Sequence, residues 1–262
     1  MIGGVLLSLI AWGVALAAPV QASEDDWDLV VDPAQRLTTA SIAYSSGQSI
    51  MVTCRAGDLN VIVRGLNPDA GLSRYAEVAI DQQPLDAQNW FHLGDGAAVL
   101  SGTPAFHARQ FRSSGVLGFG VGSSELHPRV AQRLVMDLPD RSEGVDQVLT
   151  ACGVPLSDPR DSLPRWNSFA FPGDSPWVRM ARPEFPAAAA AAGIETGFAV
   201  SSCIVGPRGE LLECRVEKES DPRAGFGSAA VRALRSARVV VDGEGGAVPG
   251  QVLVGTMRFQ VQ

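Results

Sequence analysis

The sequence predicts an α+β chain: a β-rich first domain, then a small domain ordered helix, strand, strand, helix, strand on an antiparallel sheet. Three observations carry this. Short apolar runs separated by turn signals fill residues 23–153. Helix-period and strand-period patterns follow one another over residues 183–262. The charge is split: residues 23–155 hold 16 acidic and 9 basic side chains (9 − 16 = −7), whereas residues 182–262 hold nine of each. Such a shift marks two domains joined near residue 160.

Taken in order, residues 2–20 carry no charge and are mostly apolar, and Val20-Gln21-Ala22 presents small residues of the kind a signal peptidase reads. We therefore expect residues 1–22 to be a signal peptide, cleaved between Ala22 and Ser23, and the mature chain to be periplasmic. The alternative is retention in the inner membrane, with residues 2–20 as an anchor facing the periplasm. No Lys or Arg precedes the apolar run, so only the α-amino group supplies a leading charge.

In residues 23–153, Ser49 to Thr53 and Leu59 to Val63 flank Arg55-Ala-Gly-Asp58, a hairpin signal. Further strands are expected at Ala76 to Ile80, Phe106 to Phe111, Gly115 to Val121 and Arg133 to Leu138. A helix follows Ser142, with Val145, Val148 and Leu149 on one face and Gly153 after its end. Residues 154–182 carry Pro155, Pro159, Pro164, Pro172 and Pro176 and read as an extended linker. Its aromatics, Trp166, Phe169, Phe171 and Trp177, are too apolar for a free linker and point to packing in grooves on the domains.

In residues 183–262, Pro186 to Ala192 is an Ala-rich helix with Gly193 behind it. Gly197 to Val205 and Glu210 to Glu219 form a hairpin around Gly206-Pro207-Arg208-Gly209. Phe226, Ala230, Ala233, Leu234 and Ala237 make one helical face, with Arg232, Arg235 and Arg238 on the other side. A last strand spans Gln251 to Val261: Leu253, Met257, Phe259 and Val261 alternate with Val252, Val254, Arg258 and Gln260.

Four cysteines, Cys54, Cys152, Cys203 and Cys214, form an even set in a chain expected to be exported. Of the three possible connectivities, the domain split favours Cys54–Cys152 and Cys203–Cys214.

Little in the sequence signals chemistry. His92, His107 and His127 lack ligand spacing, Ser45 to Ser49 is no nucleophile elbow, and Gly118 to Gly122 lacks dinucleotide-loop spacing. We expect no catalytic residue, no metal and no cofactor. A net charge of −7 without a basic run makes nucleic acid a poor partner.

The ordered set over residues 183–262 resembles the TonB C-terminal domain. The resemblance rests on Phe185-Pro186, Gly193-Ile194, Gly197, Val205-x-x-x-Gly209-x-Leu211, Ala229-Ala230-x-x-Ala233-Leu234, and Val248-x-Gly250 leading to Met257-Arg-Phe259. Residues Gln48 to Cys54 and Leu149 to Gly153 resemble uncharacterised exported α-proteobacterial proteins, which imply no activity. The TonB resemblance implies a protein-binding module whose partner is an extended peptide segment of an outer-membrane or periplasmic protein, with a link to TonB-dependent transport. Such a module adds the peptide as a strand at a sheet edge. The candidate edge is the last strand, at Val252, Val254, Thr256, Arg258 and Gln260. Homodimerisation would compete there. Arg258 either favours an acidic peptide or guards the edge against aggregation. Energy transduction is a departure, since a folded domain and short linker replace the family's anchor and long Pro-rich spacer. The other functional readings are a hydrolase hidden in the first domain and a structural envelope protein.

Overall fold

The structure, a computed structural model, describes residues 26–81, 83–122, 130–166 and 175–261. The expected leader, its Ala22/Ser23 cleavage site, His127, and the linker residues Phe169 and Phe171 lie outside the described residues.

The first half is one large antiparallel sheet. Its strands in chain order are β1 (Asp28–Asp32), β2 (Leu37–Ala43), β3 (Ser49–Arg55), β4 (Asp58–Arg64), β5 (Ser73–Ile80), β6 (Gln83–Leu93), β7 (Ala98–Leu100), β8 (Gly115–Gly122) and β9 (Val130–Leu138). They lie side by side as β1-β2-β3-β4-β7-β6-β5-β8-β9. Two helices join them, α1 (Pro104–Gln110) and α2 (Glu143–Ala151).

The expected hairpin forms, with Arg55 paired to Asp58. Ala56 and Gly57 both take positive φ, 54° and 90°. Two such residues give the tight turn whose twist matches a strand pair. Strands from both ends of the sheet feed a single core, in which Ile50, Val52, Val61, Trp90 and Phe119 meet Val145, Val148 and Leu149 of α2. The sheet must curl to do this, and Tyr44, just after β2, donates its hydroxyl to the Asp137 carbonyl of β9 at 2.9 Å. Cys54 of β3 is bonded to Cys152 behind α2, S–S 2.04 Å, which fastens the helix to the sheet.

One element departs from expectation. Phe106 to Phe111, read as a strand, belongs to α1 and its C-terminal end. Pro104 sits in the first turn, where a missing N–H costs nothing, and Phe106, His107, Ala108, Arg109 and Phe111 are all buried. A short segment buried on every side shows neither a period of two nor one of 3.6, so pattern cannot separate helix from strand.

The second half contains α3 (Ala187–Ala191), β12 (Thr196–Val205), β13 (Leu211–Glu219), α4 (Phe226–Ser236) and β15 (Val252–Gln260), in the expected order. Arg238 lies beyond α4 in a short strand, β14 (Arg238–Val239), and not on the helix. On one face of the sheet, Ala199 and Phe259 pack on Phe226, Ala229 and Ala230. Cys203, Val205 and Leu253 pack on Leu234 and Ala237. Cys203 is bonded to Cys214 across the hairpin at 2.06 Å, where the register shifts and Glu213 takes positive φ.

The stretch expected as an extended linker is partly structured. It carries a 3-10 turn (Pro159–Ser162) and two short strands, β10 (Arg165–Trp166) and β11 (Trp177–Arg179). β10 joins the second sheet in parallel beside β15, giving the order β10-β15-β12-β13, and β11 pairs with β14. Trp166 is buried in the second core and donates its indole N–H to the Gly245 carbonyl at 3.0 Å. The prolines hid this because strands of only two and three residues are made.

The other face of the second sheet packs against the first half. Phe198 stacks on Phe91 with ring centroids 4.1 Å apart. Val200 is fully buried, and a Cβ on Gly102 would lie 3.3 Å from it. Arg109 of α1 donates Nη2 to Asp161 at 2.8 Å. Lys218 pairs with Asp58, and Arg258 donates Nη2 to the Ser73 hydroxyl at 2.9 Å. β12 is thus covered on both faces, hence its unbroken burial from Ala199 to Cys203.

Candidate functional site

The candidate edge is built by the register of β15. Val205 donates its backbone N–H to Gln251, and Val261 donates to Glu195. Odd-numbered residues of β15 therefore bond to β12, and even-numbered residues turn their N–H and C=O groups away from it. These are Val252, Val254, Thr256, Arg258 and Gln260, the residues singled out from the sequence. Val252 is already taken: its N–H donates to the Pro164 carbonyl at 2.8 Å, and it pairs with Arg165 of β10. Trp166 pairs with Leu253 in the same ladder, so the Val254 N–H is taken as well, by the Trp166 carbonyl. Beyond it, Thr256 and Gln260 have no ladder partner on the outer side among the described residues. β10 thus covers the start of the Gln251 to Val261 strand as far as Val254.

Two clefts flank that edge. One of about 220 Å³ is lined by Val252 to Thr256, by Trp166 and Trp177, and by Asp86 to Asn89 of β6. The other, about 530 Å³, lies at the strand's end between Arg258 to Val261 and Pro183 and Phe185. Arg258 itself is exposed but engages Ser73.

A polar cluster that the sequence did not reveal sits behind the first cleft. Asp86 of β6 accepts from Arg165 Nε at 2.8 Å. It also accepts from Gln88, which in turn donates to Thr103 Oγ1 at 2.7 Å. His107 of α1 lies with Nε2 3.3 Å from Asp86 Oδ2. Its Nδ1 is 2.6 Å from Ser101 Oγ. The Arg165 guanidinium rests on the Phe106 ring, 4.0 Å from its centroid.

Burial pushes the Asp86 carboxyl up, but Arg165 and His107 outweigh it and hold the group well below the usual carboxylate range. For His107 burial wins over the attraction of Asp86, so the imidazole is held below its ordinary value. Folding thus brings a serine, a histidine and a carboxylate together from Ser101, His107 and Asp86. Ser101 and His107 are fully buried, and neither lines the cleft. Ser101 Oγ also accepts the Thr103 N–H at 3.0 Å. No local spacing could have announced the set, because Asp86 and Arg165 are 79 residues apart. His92 stands apart, its Nδ1 3.1 Å from the Gly71 carbonyl. Among the described residues no group of three His, Cys, Asp or Glu could hold a metal ion.

No protein-family model matches the chain, and no curated protein matches it.

Proposed function

We propose that this protein is a cell-envelope binding module that takes an extended peptide as an added strand on β15. The observation that carries the reading is the outward backbone of Thr256 and Gln260 on β15, beyond the end of β10 and flanked by clefts at both ends. Unpaired strand edges are templates for another strand, and main-chain hydrogen bonds supply the affinity. The resemblance to the TonB C-terminal domain supports the same reading and suggests an outer-membrane transporter as the source of the peptide. Residence outside the cytoplasm is part of the proposal. It is supported by the two disulfides, which persist in oxidising compartments. Among the described residues no helix is long and apolar enough to cross a membrane.

A hydrolase reading would rest on Ser101, His107 and Asp86. It is disfavoured because a nucleophile must reach substrate, and Ser101 has no exposed surface. The cluster is better explained as the polar bond between the two halves.

The test is calorimetric titration of the mature full chain with N-terminal peptides of outer-membrane transporters from the same cell. Binding that Thr256→Pro weakens at least tenfold supports the proposal. Absence of binding by the folded, monomeric protein, or binding indifferent to Thr256→Pro, overturns it.

A further inference from the structure

The large first sheet ends in two strands, β1 and β9, and neither has a ladder partner on its outer side among the described residues. The register of β8 sorts the backbone of β9. The Val116 carbonyl accepts the Asp81 N–H at 2.9 Å, and the Val116 N–H donates to the Asp81 carboxylate at 3.2 Å. Both backbone groups of Val116 therefore point away from β9, and by alternation so do those of Gly118 and Gly120. Asp137, Val135 and Arg133 are their cross-strand partners, and these turn their N–H and C=O groups outward. Leu134 and Met136, between them, bond to β8. The Asp137 carbonyl accepts the Tyr44 hydroxyl at 2.9 Å, but Tyr44 packs against the core and a carbonyl has a second lone pair.

The side chains of β9 complement a second copy of themselves. Val135 is 71% exposed, with Arg133 two residues before it and Asp137 two residues after, both exposed. Two β9 strands set antiparallel about a two-fold axis at Val135 bring the two valines face to face. The same register sets each Arg133 opposite the second copy's Asp137. Opposite charges facing each other across antiparallel strands stabilise the pair, and like charges destabilise it. On the core side Leu134 falls opposite Met136, apolar against apolar. Arg133 keeps Glu77 at 3.5 Å within its own copy. Ala79, Gly118 and Val116 extend the exposed valine into an apolar groove of about 340 Å³. β1 lacks this complementarity. Paired with itself about Val30, it sets Asp28 opposite Asp32, two like charges. Edge charges ordinarily keep strands apart; on β9 they select one partner and one register.

From these observations we infer that the protein self-associates as a two-fold dimer through β9, with Val135 on the axis and an Arg133–Asp137 pair on either side of it. The first sheet of one copy continues into that of the other. A single pair of strand edges is a small contact, so the dimer forms in a concentration-dependent manner. The inference is independent of peptide addition at β15, which uses the edge of the other sheet.

The experiment is sedimentation equilibrium of the mature full chain at concentrations up to about 1 mM. It compares the wild type, Arg133→Glu, Asp137→Arg, an equimolar mixture of these two variants, and Thr256→Pro. Circular dichroism checks that each is folded, and both charge changes fall on exposed side chains. Each charge variant alone sets like charges opposite one another at both pairs. The β9 dimer predicts a reversible monomer–dimer equilibrium for the wild type, weakened at least tenfold by either charge variant. Tenfold corresponds to about 1.4 kcal/mol. In the mixture, one copy of each variant again sets opposite charges face to face at both pairs, so association should return to within a few-fold of the wild type. Thr256→Pro should leave it unchanged. A wild type that stays monomeric throughout would overturn the inference. So would a dimer indifferent to both charge variants, a dimer abolished by Thr256→Pro, or variants that weaken association but do not restore it on mixing. None of these outcomes depends on whether peptide adds to β15.

Discussion

His107 has no exposed surface, and its imidazole lies between the Ser101 hydroxyl, 2.6 Å from Nδ1, and the Asp86 carboxylate, 3.3 Å from Nε2. Because burial lowers its pKa below the ordinary 6.5, the unfolded chain binds more protons than the folded one once the pH falls below that value. Stability should therefore fall as pH drops from 7.5 to 5, by at most about 1.4 kcal/mol per pH unit from this group. Asp86 acts in a lower window. Its folded pKa is depressed, so its contribution is present above the unfolded value of 3.8 and is lost as pH falls below it. Urea denaturation at pH 7.5, 6 and 5 checks the histidine, with His107→Gln flattening the profile; a wild-type profile that is already flat contradicts the assignment. Arg165→Ala leaves the buried Asp86 without its closest cation. A loss of about 3 kcal/mol is expected, and a change below about 0.5 kcal/mol would mean that the cluster does not bind the halves together.

At the element scale, Gly197 of β12 shows how tightly the second core is closed. A Cβ there would lie 2.2 Å from the Phe226 ring, and Phe226 is fully buried. Gly197→Ala should destabilise the protein by about 3 kcal/mol through overpacking, and an unchanged thermal midpoint would count against the packing of α4 on β12. In the first half, Cys54–Cys152 closes a loop of 98 residues. Replacing both by Ser should cost about 4–5 kcal/mol by loop entropy, measured as a shift in the denaturation midpoint at constant slope. Elements with strong local signals were legible in the sequence: the Arg55–Asp58 hairpin, α2 with Gly153 behind it, and the hairpin and helix of the second half. α1 was not, because its complete burial erases periodicity. β10 and β11 were not, because strands of two and three residues carry no period among prolines. Alternation along β15 showed which side chains share a face, but which backbone groups turn away from β12 is set by the register of the two strands and could not be read from it. The Asp86–His107–Arg165 cluster could not, since its members come from distant strands, a helix and a linker, and meet only in the fold.

The described residues form two large sheets held in contact and a small β11–β14 pair, and the proposed activity depends on which strand edges that arrangement leaves free. The face of β12 that a lone second domain would expose is buried on Phe91 and Gly102, and Trp166 from the connecting stretch completes its core. Residues 183–262 on their own would lack all of these and should be less stable than the same residues in the full chain. The central claim is the open outer side of β15. Residue-resolved hydrogen exchange of the full, unliganded chain tests it most directly. The account predicts a contrast: fast exchange at Thr256 and Gln260, and slow exchange at Leu253, Gly255, Met257 and Phe259, whose amides bond to β12. Uniformly slow exchange along Leu253 to Gln260 would mean that the edge is already paired, and would contradict the account.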